Sequence, residues 1–250
     1  MVAREVQLQD EKLLELLLQE RRGQAYFSRK VNELSDEDFD APSLLPGWNR
    51  RALIAHVGFN ARAVRRLITW AETGEETPMY DSTTQRDDEI DFGSTLNIQA
   101  IRNLQDHAAI DLDVAWRDLP NDRWNFEIKT AQGRLVPVSE TIWMRMREVW
   151  IHAVDIDNGG DVADFPRVVI DMLLPDLINV WRRKRAINPV GNIVLAPTDR
   201  DLRLVLDEDG KEDIVYSGTA VDLVRWGIGR GNIGVVDQDG NKAPTAPPWL

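Results

Sequence analysis

Long stretches of helical hydrophobic periodicity fill the first two-thirds of the chain and constrain its fold more than any other feature. Asp10 precedes a leucine-rich helix and is a suitable N-cap residue for it. Asn49 is the predicted N-cap of a second helix, which Gly74 ends. Ser94 and Ser139 are expected to cap two further helices. Four such helices joined by loops favour an antiparallel bundle.

Two connections within this region differ in character. Residues 75–93 have no sustained period and are expected to form a surface loop. Residues 126–139 indicate two short extended pieces around Gln132-Gly133. Because the connection after the second helix is long, the order in which the helices pack stays open.

The pattern changes near residues 160 to 165, where a small α+β domain is expected to begin. A helix follows Phe165-Pro166, interrupted or kinked at Pro175. Strand-like sequence comes next, with Asp209-Gly210 as a hairpin signal between its last two strands. A short helix at 219–231 and a last strand in "IGVVDQDG" complete the domain. The fold class is therefore mainly α with a C-terminal α+β part, divided into residues 1–162 and 163–250.

The charge balance excludes several classes of partner. With 30 basic and 42 acidic residues, the chain has a formal net charge of -12, which repels nucleic acid and anionic membrane surfaces. A small anionic substrate stays possible, because a local group of arginines can outweigh the global field. The sequence has no signal peptide and no membrane-spanning apolar run of the required ~18 residues, so a cytoplasmic protein is expected.

The chain contains no cysteine. Disulfides are therefore excluded, and no side chain can supply a thiolate nucleophile. If the chemistry requires a thiolate, a cofactor must bring it.

Glu148 and His152 lie four residues apart in an apolar helical stretch, so both side chains point from one face of the helix. His56 lies on the apolar, inward face of the second helix and can meet them across the bundle core. Two imidazoles and one carboxylate suit Zn²⁺ with a fourth position left open, as in catalytic zinc sites.

Other interpretations of these residues are simpler. A Glu-x-x-x-His pair is usually a surface hydrogen bond, and a histidine in an apolar stripe is usually a satisfied core residue. However, burial of Glu148 among Trp and Met residues without a counter-charge would be expensive, and a metal removes that cost. His107 lies on a more polar side of the third helix and is left out of the site.

"GIGRGNIG" holds the second candidate, Arg230. One interpretation is a helix C-cap in which Gly229 or Gly231 is left-handed and Arg230 is merely exposed. The functional alternative is that Arg230 presents its guanidinium to a carboxylate. Arg86 in the 75–93 loop is a weaker candidate of the same kind.

Several segments, in order and without large gaps from residue 40 to the C-terminus, carry a family resemblance: "SLLPGWNRRALIAHVGFNARA", "WAETGEETPMY", "GSTLN", "TAQGRLVPVSETIWMRMREVWIHAVDI" and "GRG…PPWL". Together they resemble the mycothiol-dependent maleylpyruvate isomerase family. The resemblance implies a DinB-like four-helix bundle followed by a small α/β domain. It places the zinc ligands on His56, Glu148 and His152 and the functional arginine on Arg230.

The implied reaction is cis–trans isomerisation of maleylpyruvate to fumarylpyruvate in gentisate breakdown. Mycothiol would supply the thiolate that adds to the double bond and leaves after rotation. Zn²⁺ would bind the sulfur or polarise the carbonyl, and Arg230 would hold a carboxylate or the enolate oxygen. Asp155 or Asp157 would orient His152.

Two other functions stay open at this stage. The first is a mycothiol S-transferase acting on another electrophile on the same scaffold. The second is a binding or stress protein whose metal only locks the bundle, with Asn60 as the fourth ligand that closes the site. The residues also suit iron, nickel or cobalt. A monomer is expected.

Overall fold

The computed structural model describes residues 7–187, 191–208, 210 and 213–249. It separates into two compact units, Met1–Gly160 and Asp161–Leu250. The mainly helical fold class expected from the sequence is confirmed, with a small sheet in the second unit. Among the described residues, no helix combines the length and the apolar character needed to cross a membrane.

Five α-helices build the described part of the first unit. Helix α2 packs mainly on α4 and α1 mainly on α5, while α2 also touches α5, so that the two pairs enclose one core. The helices are α1 Glu11–Asn32, α2 Arg50–Thr73, α3 Gln85–Ser94, α4 Ile98–Asp118 and α5 Glu140–Asp155.

The predicted caps explain where the first two bundle helices begin and end. The Asp10 carboxylate accepts hydrogen bonds from the backbone N–H groups of Lys12 and Leu13 at 2.9 and 3.1 Å. The Asn49 side chain accepts from the N–H of Ala52 at 2.9 Å. Gly74 follows α2 with φ of 80°, the left-handed conformation that glycine adopts without strain. These expectations are confirmed.

The expectation of a loop at 75–93 is wrong, because α3 occupies its second half. This helix buries only Ile90 and Gly93, so it leaves no apolar stripe in the sequence. Ser94 is its last residue and does not cap the next helix. Asn97 caps α4 instead, accepting a hydrogen bond from the N–H of Ala100 at 2.8 Å.

The two extended pieces between α4 and α5 form the expected hairpin. Strands β1 (Glu127–Lys129) and β2 (Leu135–Pro137) pair antiparallel, and Gly133 turns the chain with φ of 79°. Ser139 then occupies the N-cap position of α5, as expected, although its hydroxyl makes no capping hydrogen bond.

The described part of the second unit combines two α-helices with a three-stranded sheet. The central strand β3 pairs antiparallel with β4 and parallel with β5. Trp181, Trp226 and Tyr216 form ring contacts in its core. The elements are α6 Arg167–Lys184, β3 Asn192–Pro197, β4 Leu204–Val205, β5 Asp213–Gly218 and α7 Ala220–Gly227.

Two expectations for this unit are wrong, and a third is narrowed. Strands β4 and β5 lie on opposite sides of the buried β3 and do not pair as a hairpin; Asp209 itself lies outside the described residues. Of the two outcomes expected at Pro175, the interruption is ruled out, because helix α6 continues through the proline with buried leucines on either side. The segment "IGVVDQDG" makes isolated bridges at Val236 instead of a strand, because its glycines and aspartates favour turns.

Candidate metal centre

Three side chains from two helices converge in the first unit. His56 Nε2 on α2 lies 3.1 Å from Glu148 Oε2 on α5, and His152 Nε2 lies 3.1 Å from the same oxygen. The three possible ligand atoms all lie within 4.8 Å of one another. The structure therefore brings together the three residues that the helical spacing singled out.

Tight packing between α1 and α5 turns Glu148 and His152 towards α2. The Trp150 ring stacks on Tyr26 with centroids 5.3 Å apart, and its Nε1–H donates to the carbonyl of Gln19 at 3.1 Å. Gly23 allows this approach, because a Cβ atom there would lie 2.6 Å from Trp150 Nε1. The apolar contacts of Trp150 on one face of α5 thus fix the direction of the ligands on the other.

Asp155 supports the site from behind His152. Its Oδ2 lies 2.8 Å from His152 Nδ1, and Asp155 is fully buried. A carboxylate at Nδ1 holds a proton there, so that Nε2 can bind a cation once it loses its own proton. Asp157, the alternative partner, is an exposed turn residue with φ of 57°.

The ionisation states follow from burial and from these contacts. Burial raises the pKa of Glu148, but hydrogen bonds from His152 and His56 outweigh it and hold the pKa well below its usual range. Burial lowers the pKa of His56 more than Glu148 raises it. At His152 burial also opposes the charged form, yet Asp155 and Glu148 raise its pKa to about 9. The cluster therefore presents a carboxylate at neutral pH.

Arg145 forms a second buried polar cluster one turn before Glu148 on α5. Its Nη1 donates to the Val57 carbonyl at 2.7 Å and to Asn60 Oδ1 at 3.0 Å, and its Nη2 donates to Gln24 Oε1 at 2.9 Å. The oxygen of Asn60 thus serves Arg145, which argues against Asn60 as the ligand that closes the metal centre. Arg145 was not identified from the sequence, although it lies three residues before Glu148, a spacing that places both side chains on one face of the helix.

The remaining sequence candidates lie elsewhere. His107 is exposed on α4, as its polar surroundings suggested. Arg86 belongs to α3, and its guanidinium lies 5.7 Å from the centroid of the Trp48 ring. The rings of Trp48 and His56 are in edge-on contact, with their centroids 5.3 Å apart.

Arg230 follows α7 in the second unit. Gly229 follows the C-cap of α7 with φ of 79°, so the expected glycine cap is confirmed at Gly229, whereas Arg230 is half-buried and not merely exposed. The guanidinium of Arg230 donates to the carbonyl of Ile228. Its role in chemistry stays a prediction.

The fold and this cluster define a helical-bundle protein with a candidate divalent-metal centre. Residues 21–157 match the model of the mycothiol maleylpyruvate isomerase N-terminal domain. The chain belongs to the mycothiol-dependent maleylpyruvate isomerase family, which confirms the resemblance found in the sequence.

Solved structures support the same assignment over nearly the whole chain. A crystal structure of the mycothiol-dependent maleylpyruvate isomerase is 42% identical, covers 95% of this chain and 97% of its own, and superimposes with a TM-score of 0.88. A variant of that enzyme with one histidine replaced by alanine gives the same identity and coverage and a TM-score of 0.87. No curated protein matches the chain.

Proposed function

We propose that this protein isomerises maleylpyruvate to fumarylpyruvate with mycothiol at a zinc ion held by His56, Glu148 and His152. The observation that carries the proposal is the convergence of two imidazole nitrogens and one carboxylate oxygen within 4.8 Å. Family membership supplies the reaction class, because the structures at 42% identity are named as mycothiol-dependent maleylpyruvate isomerases.

The donor set fits a catalytic zinc ion. Two nitrogens and one oxygen are the ligand types of open zinc sites, and the oxygen of Asn60 is engaged by Arg145. Glu148 is the most accessible ligand, with 21% of its side chain exposed against 6% and 9% for the histidines. A ligand can therefore approach from the Glu148 side.

Zinc-bound mycothiol would supply a thiolate at neutral pH, which can add reversibly to a double bond conjugated with a ketone and so allow rotation. The chain has no cysteine of its own for this step. Its residues hold and orient the reactants. Asp155 keeps the proton of His152 on Nδ1, and Arg230 is proposed to bind a substrate carboxylate or the carbonyl oxygen as it gains negative charge.

The test is an ultraviolet assay of the purified protein on maleylpyruvate, with and without mycothiol, metal-loaded and after chelation. We expect turnover only when thiol and metal are both present. Glu148→Gln is the matched variant, because it keeps the shape of the side chain but removes the ligand charge. Its metal affinity should fall on the order of a thousandfold, roughly one third of the free energy of a structural zinc site.

The fate of the thiol separates this function from a mycothiol S-transferase. An isomerase leaves the mycothiol concentration unchanged over many turnovers, whereas a transferase consumes one thiol per product. No isomerisation by the zinc-loaded protein, with thiol consumed on electrophilic acceptors, would contradict the proposal.

A further inference from the structure

Arg86 is connected to the candidate metal centre through one aromatic ring. Its guanidinium carbon lies 5.7 Å from the Trp48 centroid, and Trp48 contacts the ring of His56 at 5.3 Å. A cation over the face of a tryptophan is attracted by the ring quadrupole. The Trp48 indole therefore connects the Arg86 guanidinium to His56, one of the three proposed metal ligands.

Three other arginines of the first unit are already engaged. Arg145 is fully buried against three oxygen atoms. Arg50 donates to the carbonyls of Ile156 and Asp157 at 2.6 and 2.7 Å. Arg66 donates to Glu89 at 3.0 Å and to the carbonyl of Met79 at 2.5 Å. All three therefore hold the fold together.

Arg86 differs from these three arginines, because its side chain is more exposed and its ion pair is weaker. Its side chain is 43% exposed, and it pairs with the neighbouring Asp87, which is 70% exposed, at 2.9 Å. An exposed ion pair of this kind contributes little to stability. Arg86 can therefore exchange Asp87 for a carboxylate of a bound ligand at small cost.

The packing of helix α3 on α2 fixes the position of Arg86 relative to His56. Gly93 packs so closely on α2 that a Cβ atom would lie 2.6 Å from Ala55 and 2.8 Å from Phe59. The ion pair between Glu89 and Arg66 provides a second attachment of α3 to α2. Because His56 is also on α2, one rigid surface carries both the ligand and the cation.

We propose that Arg86 binds a carboxylate of the anionic ligand at the metal centre and thereby selects dicarboxylates. This inference rests on the proposed function, since maleylpyruvate has a carboxylate at each end. The carboxylates of Glu148 and Asp155 together cancel the charge of one divalent ion, so attraction of a dianion requires a further cation, and the exposed guanidinium of Arg86 supplies it.

The experiment compares Arg86→Gln with Arg86→Lys and with Arg62→Gln. Arg62 is the matched control, because its exposed guanidinium on α2 lies 5.5 Å from the Phe59 centroid and is also a cation over an aromatic ring. In Arg86→Gln we expect KM for maleylpyruvate to rise about 10- to 100-fold, with kcat within about threefold, as for the loss of one charge-assisted hydrogen bond. Lysine should restore part of the loss, and Arg62→Gln should match the wild type.

Calorimetric binding of maleate, an inert dicarboxylate, to the zinc-loaded protein provides a readout without turnover. Arg86→Gln should weaken maleate binding by a similar factor while the bound zinc stays at one per chain. If the wild type binds maleate through Arg86 but does not isomerise maleylpyruvate, the proposed function fails and carboxylate binding by Arg86 stands. If the wild type isomerises maleylpyruvate and Arg86→Gln matches Arg62→Gln in both assays, carboxylate binding by Arg86 is overturned.

Discussion

Helix α5 carries two buried polar clusters one turn apart. The free-energy cost of burying their charged groups is offset in opposite ways. In the first cluster the cation is the Arg145 guanidinium, which donates hydrogen bonds to neutral oxygens of Val57, Asn60 and Gln24. Glu148 and the two histidines bring only groups that accept a cation when deprotonated. The first cluster contains both its cation and the oxygens that accept from it, whereas the second is suited to an external ion.

This difference separates stability from function along one helix. Arg145 ties α5 to α1 and α2 through hydrogen bonds that need no ligand. Glu148 and His152 lie on the same face, and Asp155 sets the orientation of His152. Substitutions in the first cluster should therefore change the free energy of unfolding, and substitutions around the second should change metal affinity.

The largest expected effect on stability is that of Arg145→Met. It leaves Asn60 Oδ1 and Gln24 Oε1 without their donor, and breaking a buried charged network of this kind costs about 3 to 5 kcal/mol. Denaturant unfolding measures the loss, and metal content should stay at the wild-type value. The control is Arg62→Met, which removes an exposed guanidinium over the Phe59 ring at a cost of below about 1 kcal/mol. Lost metal with unchanged stability would reverse the assignment of the two clusters.

Glu20 extends the first cluster and should give it a pH dependence. Burial raises the pKa of Glu20 to about 7, against the opposing charge of Arg145, and only 4% of the residue is exposed. The folded state then binds more protons than the unfolded state between pH 4.5 and 7, so this group's contribution to stability falls as pH rises through that window. The full change is about 3 kcal/mol.

Glu20→Gln removes this titration and isolates it from the other groups. The free energy of unfolding of the variant minus that of the wild type should increase from pH 4.5 to 7 and level off above it. Urea unfolding at several pH values measures the difference. A difference that does not vary with pH would show that Glu20 keeps an ordinary pKa.

The sequence predicted the cluster of His56, Glu148 and His152 better than the buried cation beside it, for a physical reason. Histidines and glutamate in an apolar stripe point to one chemistry, and the helical period alone brings Glu148 and His152 together. Arg145 lies in the same stripe, but its partners come from α1 and α2, and no local spacing reveals them.

Local signals likewise predicted the elements whose ends are fixed locally. The caps at Asp10 and Asn49 and the glycine stop at Gly74 depend on adjacent residues and were found. Helix α3 and the order of the second unit's sheet depend on tertiary packing and were missed. The close contact of Gly93 with Ala55 that fastens α3 is invisible in a hydrophobic pattern.

Asp155→Asn tests the support of the metal centre. An amide keeps the shape of the side chain but lacks the charge that orients His152 and strengthens it as a ligand, so zinc affinity should fall about 10- to 100-fold. Competition with a chelating dye measures the affinity. Asp157→Asn is the matched control, since Asp157 is exposed, and it should bind zinc like the wild type. Equal losses in both variants would contradict the role of Asp155.

Asn60 lies between the two clusters, and its substitution has the smallest expected effect. Asn60→Leu preserves volume but removes one acceptor from Arg145 Nη1, which still donates to the Val57 carbonyl at 2.7 Å. The free energy of unfolding should fall by about 1.5 kcal/mol, the low end for a hydrogen bond to a charged group. Zinc content and affinity should not change, because the oxygen of Asn60 serves Arg145. Weaker zinc binding with unchanged stability would instead make Asn60 a fourth ligand, and a closed coordination sphere of that kind would argue for a structural metal.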